Sequence, residues 1–136
     1  MKALSGYAEW FWLMAMNIKD IENRSWSLFR QVRRESLLIR IYLHASKTAT
    51  SSRDIDFILS KLTQEQTERF WSVCWTALRG KIIGELTITG QVTESESVWF
   101  FGPYGFTVRD GQLYEEPIPC KGRLNFFVPD FVGVNG

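Results

Sequence analysis

Leu37-Leu38-Ile39-Arg40-Ile41-Tyr42-Leu43-His44 is the stretch whose period decides the fold. Leu37, Ile39, Ile41 and Leu43 point one way, and Leu38, Arg40, Tyr42 and His44 the other. That is the signature of a strand with one face in a core and one more polar face. Lys81 to Thr89 repeats the pattern, with Ile82, Gly84, Leu86 and Ile88 alternating with Ile83, Glu85, Thr87 and Thr89. Further strands are expected at Lys2–Ser5, at Val98–Phe101 and at Phe106–Val108 after a Gly102-Pro103-Tyr104-Gly105 turn. Asp110-Gly111 reads as another turn, and Gly122–Val128 as a closing strand with Leu124 and Phe126 on one face. Pro117-Ile118-Pro119 must be extended and at a sheet edge, since neither proline can donate to a ladder.

Helical periods fill the gaps. Residues 6–17 carry Trp10, Leu13 and Met14 at i, i+3, i+4, with apolar residues around most of the cylinder, so this helix is expected to be buried. Asn17 is its stop, because asparagine tolerates the left-handed conformation there. Ile55, Ile58, Leu59 and Leu62 predict a second helix. Thr63 with Gln66 forms a capping box that opens a third, with Phe70, Cys74, Ala77 and Leu78 on one face and Gly80 as its stop. Residues 27–36 have no clear period and read as a long arginine-rich loop. The sum is an α+β chain: a small mixed barrel of five or six strands flanked by about three helices, one domain over residues 1–136.

The 136 residues are 45% hydrophobic and 15% aromatic, which predicts an aromatic-rich core and excludes a disordered chain. The longest apolar run, Trp10 to Met16, falls far short of the roughly 20 residues a spanning helix needs, so no membrane partner is expected. No secretory leader is read at the N-terminus. Cys74 and Cys120 are far apart and form no CxxC pair, which points to a reducing compartment, the cytoplasm, and against a zinc site. With His44 the sole histidine, no metal or cofactor is expected. The net charge is only +1, but residues 18–47 hold seven basic groups against three acidic ones. Such a region suits an anionic ligand such as nucleic acid, and equally a solvated charged face.

Lys19-Asp20-Ile21-Glu22-Asn23-Arg24-Ser25-Trp26 follows the buried helix and gathers charge at one place. As a strand it would turn Lys19 and Glu22 to opposite faces, so the two converge only if the segment bends or begins in a loop. Lys19 can contact a phosphate or pass a proton, and Glu22 can accept from a base edge or act as a general base. Arg24 can grip phosphate bidentately or stack on a base. The alternative for all three is an ion-pair cluster that holds the strand. Trp26 and Tyr104 are either stacking platforms or core. His44, Ser46 and Lys47 end the decisive strand, Lys121 sits in a Pro-Cys-Lys-Gly turn, and Arg30, Arg33 and Arg34 can hold phosphates without regard to sequence. For His44 a structural role is the more common fate, and Ser46 has no base adjacent in sequence.

The chain resembles the ASCH domain, a branch of the PUA-like fold. The resemblance rests on Met1-Lys2-Ala3-Leu4-Ser5, the stretch Ile18 to Trp26, Leu43-His44-Ala45-Ser46-Lys47, Gly80 to Gly84, Trp99 to Phe106, and Pro117-Ile118-Pro119-Cys120-Lys121-Gly122. These follow the family order over nearly the whole chain. The resemblance implies a pseudo-barrel with helices beside it and a cleft, lined by Lys19-x-x-Glu22-x-Arg24, that takes RNA, other single-stranded nucleic acid or a nucleoside-like ligand. Some relatives are held to be nucleases, and one branch hydrolyses the amide of acetylated cytidine with a lysine, a threonine and a glutamate. That branch reads Lys-x-x-Thr-x-Arg; here Lys19 and Arg24 match and Glu22 stands at the threonine position. The family's usual Arg-Gln-Pro is replaced by Tyr7-Ala8-Glu9. The leading expectation is a nucleic-acid-binding module. The alternative is an enzyme, a ribonuclease or amidohydrolase, with Lys19 and Glu22 as its acid/base pair, and a third is an adaptor that binds protein through exposed aromatics.

Overall fold

A computed structural model describes residues 1–131. Among these the chain forms five strands and four α-helices, in the order β1 (Lys2–Gly6), α1 (Ala8–Ala15), β2 (Ile21–Arg24), β3 (Ile39–Ala45), α2 (Ser52–Lys61), α3 (Gln64–Ser72), α4 (Trp75–Leu78), β4 (Lys81–Val92) and β5 (Tyr104–Pro119). The strands make one sheet in the order β1-β3-β4-β5-β2, in which only β1 and β3 are parallel. The sheet curls into a half-barrel, as the strand spacing predicts, and its two edge strands, β1 and β2, face each other across a seam.

α1 packs on the concave side. Phe11, Trp12, Leu13, Met14 and Ala15 are all buried, against Leu4, Ile41, Leu43, Leu86, Ile88 and Phe106 from the strands. Burying each large aliphatic or phenyl side chain stabilises by about 1.5–3 kcal/mol, so this helix is a main prop of the sheet's curvature. α1 stops at Ala15, and Asn17 takes the expected left-handed conformation at φ 61°. Its side-chain amide then pairs with the backbone of Gly111 through bonds of 2.7 and 3.0 Å, tying the helix to the middle of β5.

Several sequence expectations need correction. β5 does not turn at Asp110-Gly111; it bends and continues for 16 residues, with Asp110 at φ 54° absorbing the irregularity. Pro117-Ile118-Pro119 is extended there as expected, paired to β4 on one side and, among the described residues, to no strand on the other. Val98–Phe101 is a turn rather than a strand, because Asn23 captures its backbone: Asn23 Nδ2 donates to Trp99 O, and the amides of Phe101 and Gly102 donate to Asn23 Oδ1. Gly122–Val128 is a crossing segment rather than a closing strand, and it pairs with the sheet only where Phe127 and Ala3 exchange backbone bonds. Leu124 is exposed, and Asn125, at φ 59°, breaks any ladder.

The third helix is broken in two at Val73-Cys74, which leaves Cys74 exposed, although the Thr63–Gln66 capping box is present. Residues 27–36 are two 3₁₀ turns, Leu28–Arg30 and Arg34–Ser36, that bury Leu28 and Val32 in the main core. The polar face assigned to β3 is covered, because Cys120 to Phe131 crosses it and makes a second small core of Ala3, Ile82, Cys120 and Phe127 flanked by Tyr42. Register shifts at Ile82–Gly84 and Glu85–Thr87 break the alternation of β4, so Ile83, and not Ile82, shares the main core with Leu86 and Ile88, while Ile82 enters the small core.

Candidate functional site

The seam between β1 and β2 is bridged in two places. Near Ala3 the segment around Phe126 and Phe127 fills it, with Phe126 packed on Trp26. At the other end the Arg24 Nη2 of β2 donates to the Ser5 carbonyl of β1 at 2.8 Å. Beyond that bridge lies an open cleft of about 1150 Å³. Its floor is made by Lys19, Glu22 and Arg24, one wall by Trp10, Phe57 and Phe101, and its far rim by residues 122–125.

Lys19 lies in the loop before β2, so the octet begins in a loop, which is one of the two ways for Lys19 and Glu22 to converge. The fully buried Lys19 Nζ donates to the carbonyl of Ile21, sits 3.7 Å from Glu22 Oε1 and lies 5.4 Å from the centre of the Trp10 ring. Burial lowers its pKa below the usual lysine value; the Glu22 carboxylate works against that shift and the Arg24 charge adds to it. Glu22 Oε2 accepts from both Nε and Nη2 of Arg24, at 3.0 and 2.6 Å. One carboxylate therefore serves two cations, and Arg24 leaves its Nη1 without a protein partner among the described residues.

The aromatic wall is a connected cluster. Trp10, Phe57, Trp99 and Phe101 meet edge to face or tilted at centroid distances of 5.1–6.3 Å. Asn23 holds the turn so that Trp99 is buried in the main core while Phe101 stays exposed at the cleft.

On the other wall His44 is buried between Ser5 and the carbonyl of Cys120, with ring-nitrogen distances of 2.9 and 2.7 Å. Ser46 lies beside it in the lining. Of the residues singled out in the sequence, the cleft gathers Lys19, Glu22, Arg24, His44 and Ser46.

The others lie elsewhere. Trp26 is half-buried and packs edge to face on Phe106 and Phe126, which is the core alternative. Tyr104 is half-buried at the start of β5, outside the lining, and the Lys47 stem lies against Gly80. Lys121 is exposed beside the rim but does not line the cleft. Arg30, Arg33 and Arg34 are exposed outside it, with Arg34 over the Phe29 ring at 3.9 Å.

Sequence reading missed Ser5, Asn23, Arg53, Phe57, Phe101 and Arg123 in the lining. They come from five separate segments, and no local spacing joins them. The strand register gives one clue, since Ser5 is the parallel partner of His44. Among the described residues no three His, Cys, Asp or Glu side chains are grouped to hold a metal ion, and no helix is long and apolar enough to cross a membrane. No protein-family model matches this chain, and no curated protein matches it by sequence.

Proposed function

We propose that the protein is an ASCH-type module that binds single-stranded RNA, or a nucleotide-like ligand, in the seam cleft. The observation that carries this reading is the union in one cavity of an aromatic wall, Trp10, Phe57 and Phe101, with a charged floor, Lys19, Glu22 and Arg24. A base has a π face for the wall and hydrogen-bonding edges for the floor, and each stacked base contributes about 1–3 kcal/mol. The volume of about 1150 Å³ is somewhat above the usual range for small-ligand sites and accommodates a base with its ribose and phosphate. Arg53 and Arg123 in the lining supply charge for phosphates. The free thiols Cys74 and Cys120 go with a cytoplasmic setting. The test is fluorescence anisotropy with short single-stranded RNA and DNA, together with quenching by single nucleotides. Salt-sensitive binding is expected, and no binding to any of these ligands refutes the reading.

A second reading is favoured by one observation, the buried Lys19 whose pKa is lowered beside Glu22. A lysine so placed gives up its proton more readily than a free one, which suits the acid/base work of a ribonuclease or of an amidohydrolase of modified nucleosides such as acetylated cytidine. Unchanged turnover in Lys19→Ala dismisses that role.

A further inference from the structure

Ser5 and His44 have no part in the binding or proton-transfer roles above, yet they are the most directly paired nucleophile and base in the cleft. β1 and β3 run parallel with Ser5 opposite His44, so the two side chains leave the sheet on the same face. The hydroxyl Oγ lies 2.9 Å from His44 Nδ1, and His44 Nε2 lies 2.7 Å from the carbonyl oxygen of Cys120. A carbonyl only accepts, so Nε2 carries the ring proton. Nδ1 of the neutral ring then accepts the proton of Ser5 Oγ. Burial favours that neutral ring by lowering the imidazole pKa, against the opposing pull of the Cys120 carbonyl. Packing fixes the ring as well. Phe127 meets it edge to face at 6.0 Å, and Gly122 lies so close that a Cβ there would stand 2.6 Å from His44 Cε1 and 3.1 Å from Ser5 Oγ. Nucleophile, base and a third group orienting the base are the parts of an activated serine.

We propose that Ser5 is the nucleophile of an acyl-transfer site, with His44 as its base, and that the substrate is an ester joining a small acyl group to an anionic alcohol. Ser5 Oγ adds to the ester carbonyl carbon as its proton passes to His44 Nδ1. Arg24, already bonded to the Ser5 backbone and with Nη1 unpaired among the described residues, supplies the positive charge for the oxyanion. The ester C–O bond then breaks, the alcohol leaves with the proton from His44, and the acyl group stays on Ser5. Water, deprotonated by His44, attacks this acyl-serine, releases the carboxylic acid and restores the hydroxyl. The balance is ester plus water to acid plus alcohol, with no change of oxidation state. The anionic alcohol follows from Arg53 and Arg123, which with Lys19 and Arg24 outnumber the acidic lining residues Glu22 and Asp54 four to two.

The experiment treats the full chain with a fluorophosphonate probe and maps the adduct by mass spectrometry. The tryptic peptide Ala3–Lys19 contains Ser5 as its sole serine, so the assignment is unambiguous. Phosphonylation of that peptide is expected, together with hydrolysis of 4-nitrophenyl acetate and faster hydrolysis of an acetate ester bearing a sulfonate on its alcohol. Ser5→Ala should lower both rates at least a hundredfold with an unchanged circular-dichroism spectrum. Ser5→Cys keeps a nucleophile and should alkylate with iodoacetamide at least tenfold faster than the exposed Cys74. A folded protein that takes no adduct on Ala3–Lys19, or a Ser5→Ala variant as active as the parent, overturns the proposal. Nucleotide binding measured on the same preparation separates the two readings: binding without an adduct rejects the dyad alone, and an adduct without binding rejects the nucleotide ligand alone.

Discussion

Glu22→Gln probes the floor of the cleft most directly. The substitution keeps the side chain's size and removes the charge that faces Lys19 Nζ at 3.7 Å and Arg24 Nη2 at 2.6 Å. The Lys19 side chain is 2% exposed and that of Glu22 10%, so little water replaces the lost partner. With an effective dielectric of about 20, the attraction at that lysine–carboxylate separation is about 4 kcal/mol. Removing one member of a buried pair costs about 3–5 kcal/mol. Lys19 has an escape, since burial already lowers its pKa with Glu22 as the chief opposing influence, and without that carboxylate the lysine sheds its proton more readily. The expected loss at neutral pH is therefore about 3 kcal/mol, or roughly 10 °C in Tm for a chain of this size. The sign with pH follows from linkage. The folded Lys19 has its pKa below the ordinary 10.5, so stability is lost as pH falls below that value and recovered as pH rises toward it. The variant's deficit belongs to a charged lysine, so it must shrink in alkali. Urea melts at neutral pH and near the lysine's ordinary pKa measure both quantities. A neutral-pH loss under about 1 kcal/mol, the worth of an exposed pair, refutes the reasoning, as does a deficit equally large in alkali.

Phe101→Ala should weaken nucleotide binding by about 1–3 kcal/mol while leaving Tm nearly unchanged, since the ring is 54% exposed; fluorescence titration beside a melt checks both. Gly122→Ala places a methyl 2.6 Å from His44 Cε1 and is expected to cost about 1–3 kcal/mol by urea melt, because the contact is with a fixed ring. Alanine at Arg30, Arg33 and Arg34 together should leave mononucleotide affinity unchanged and lower the salt slope for longer RNA by roughly 0.7 for each phosphate no longer neutralised. In acid, stability should begin to fall as pH drops through 6.5, because the unfolded chain protonates His44 before the folded one does. A second fall is expected below 4.5, where the folded Glu85 holds its pKa down through hydrogen bonds from Tyr114 and Arg40; melts across the acid range test both windows.

Local periodicity carried much of the fold. The alternation around Ile39–Ala45, the apolar cylinder of α1 and the Thr63 cap each report short-range physics, and each appears where the sequence puts it. The misread elements depend on distant partners. Val98–Phe101 has strand-forming residues, but Asn23, more than 70 positions earlier, takes its backbone bonds. His44 sits at a polar phase of its strand yet is buried, because a segment that begins 76 residues later crosses that face. The floor of the cleft was legible because Lys19, Glu22 and Arg24 lie within six residues. The walls were not, because Ser5, Phe57, Phe101 and Arg123 meet only after the sheet curls.

A barrel closed by a backbone ladder opens only by breaking many bonds at once. Here the upper rims are fastened by one guanidinium, the Arg24 Nη2 on the Ser5 carbonyl. The same guanidinium lines the cavity, so fastening and ligand capture draw on one side chain, the first through Nη2 and the second through Nη1. The width of this end of the seam therefore hangs on one side chain, and spin labels on β1 and β2 should report a longer distance in Arg24→Ala than in the parent.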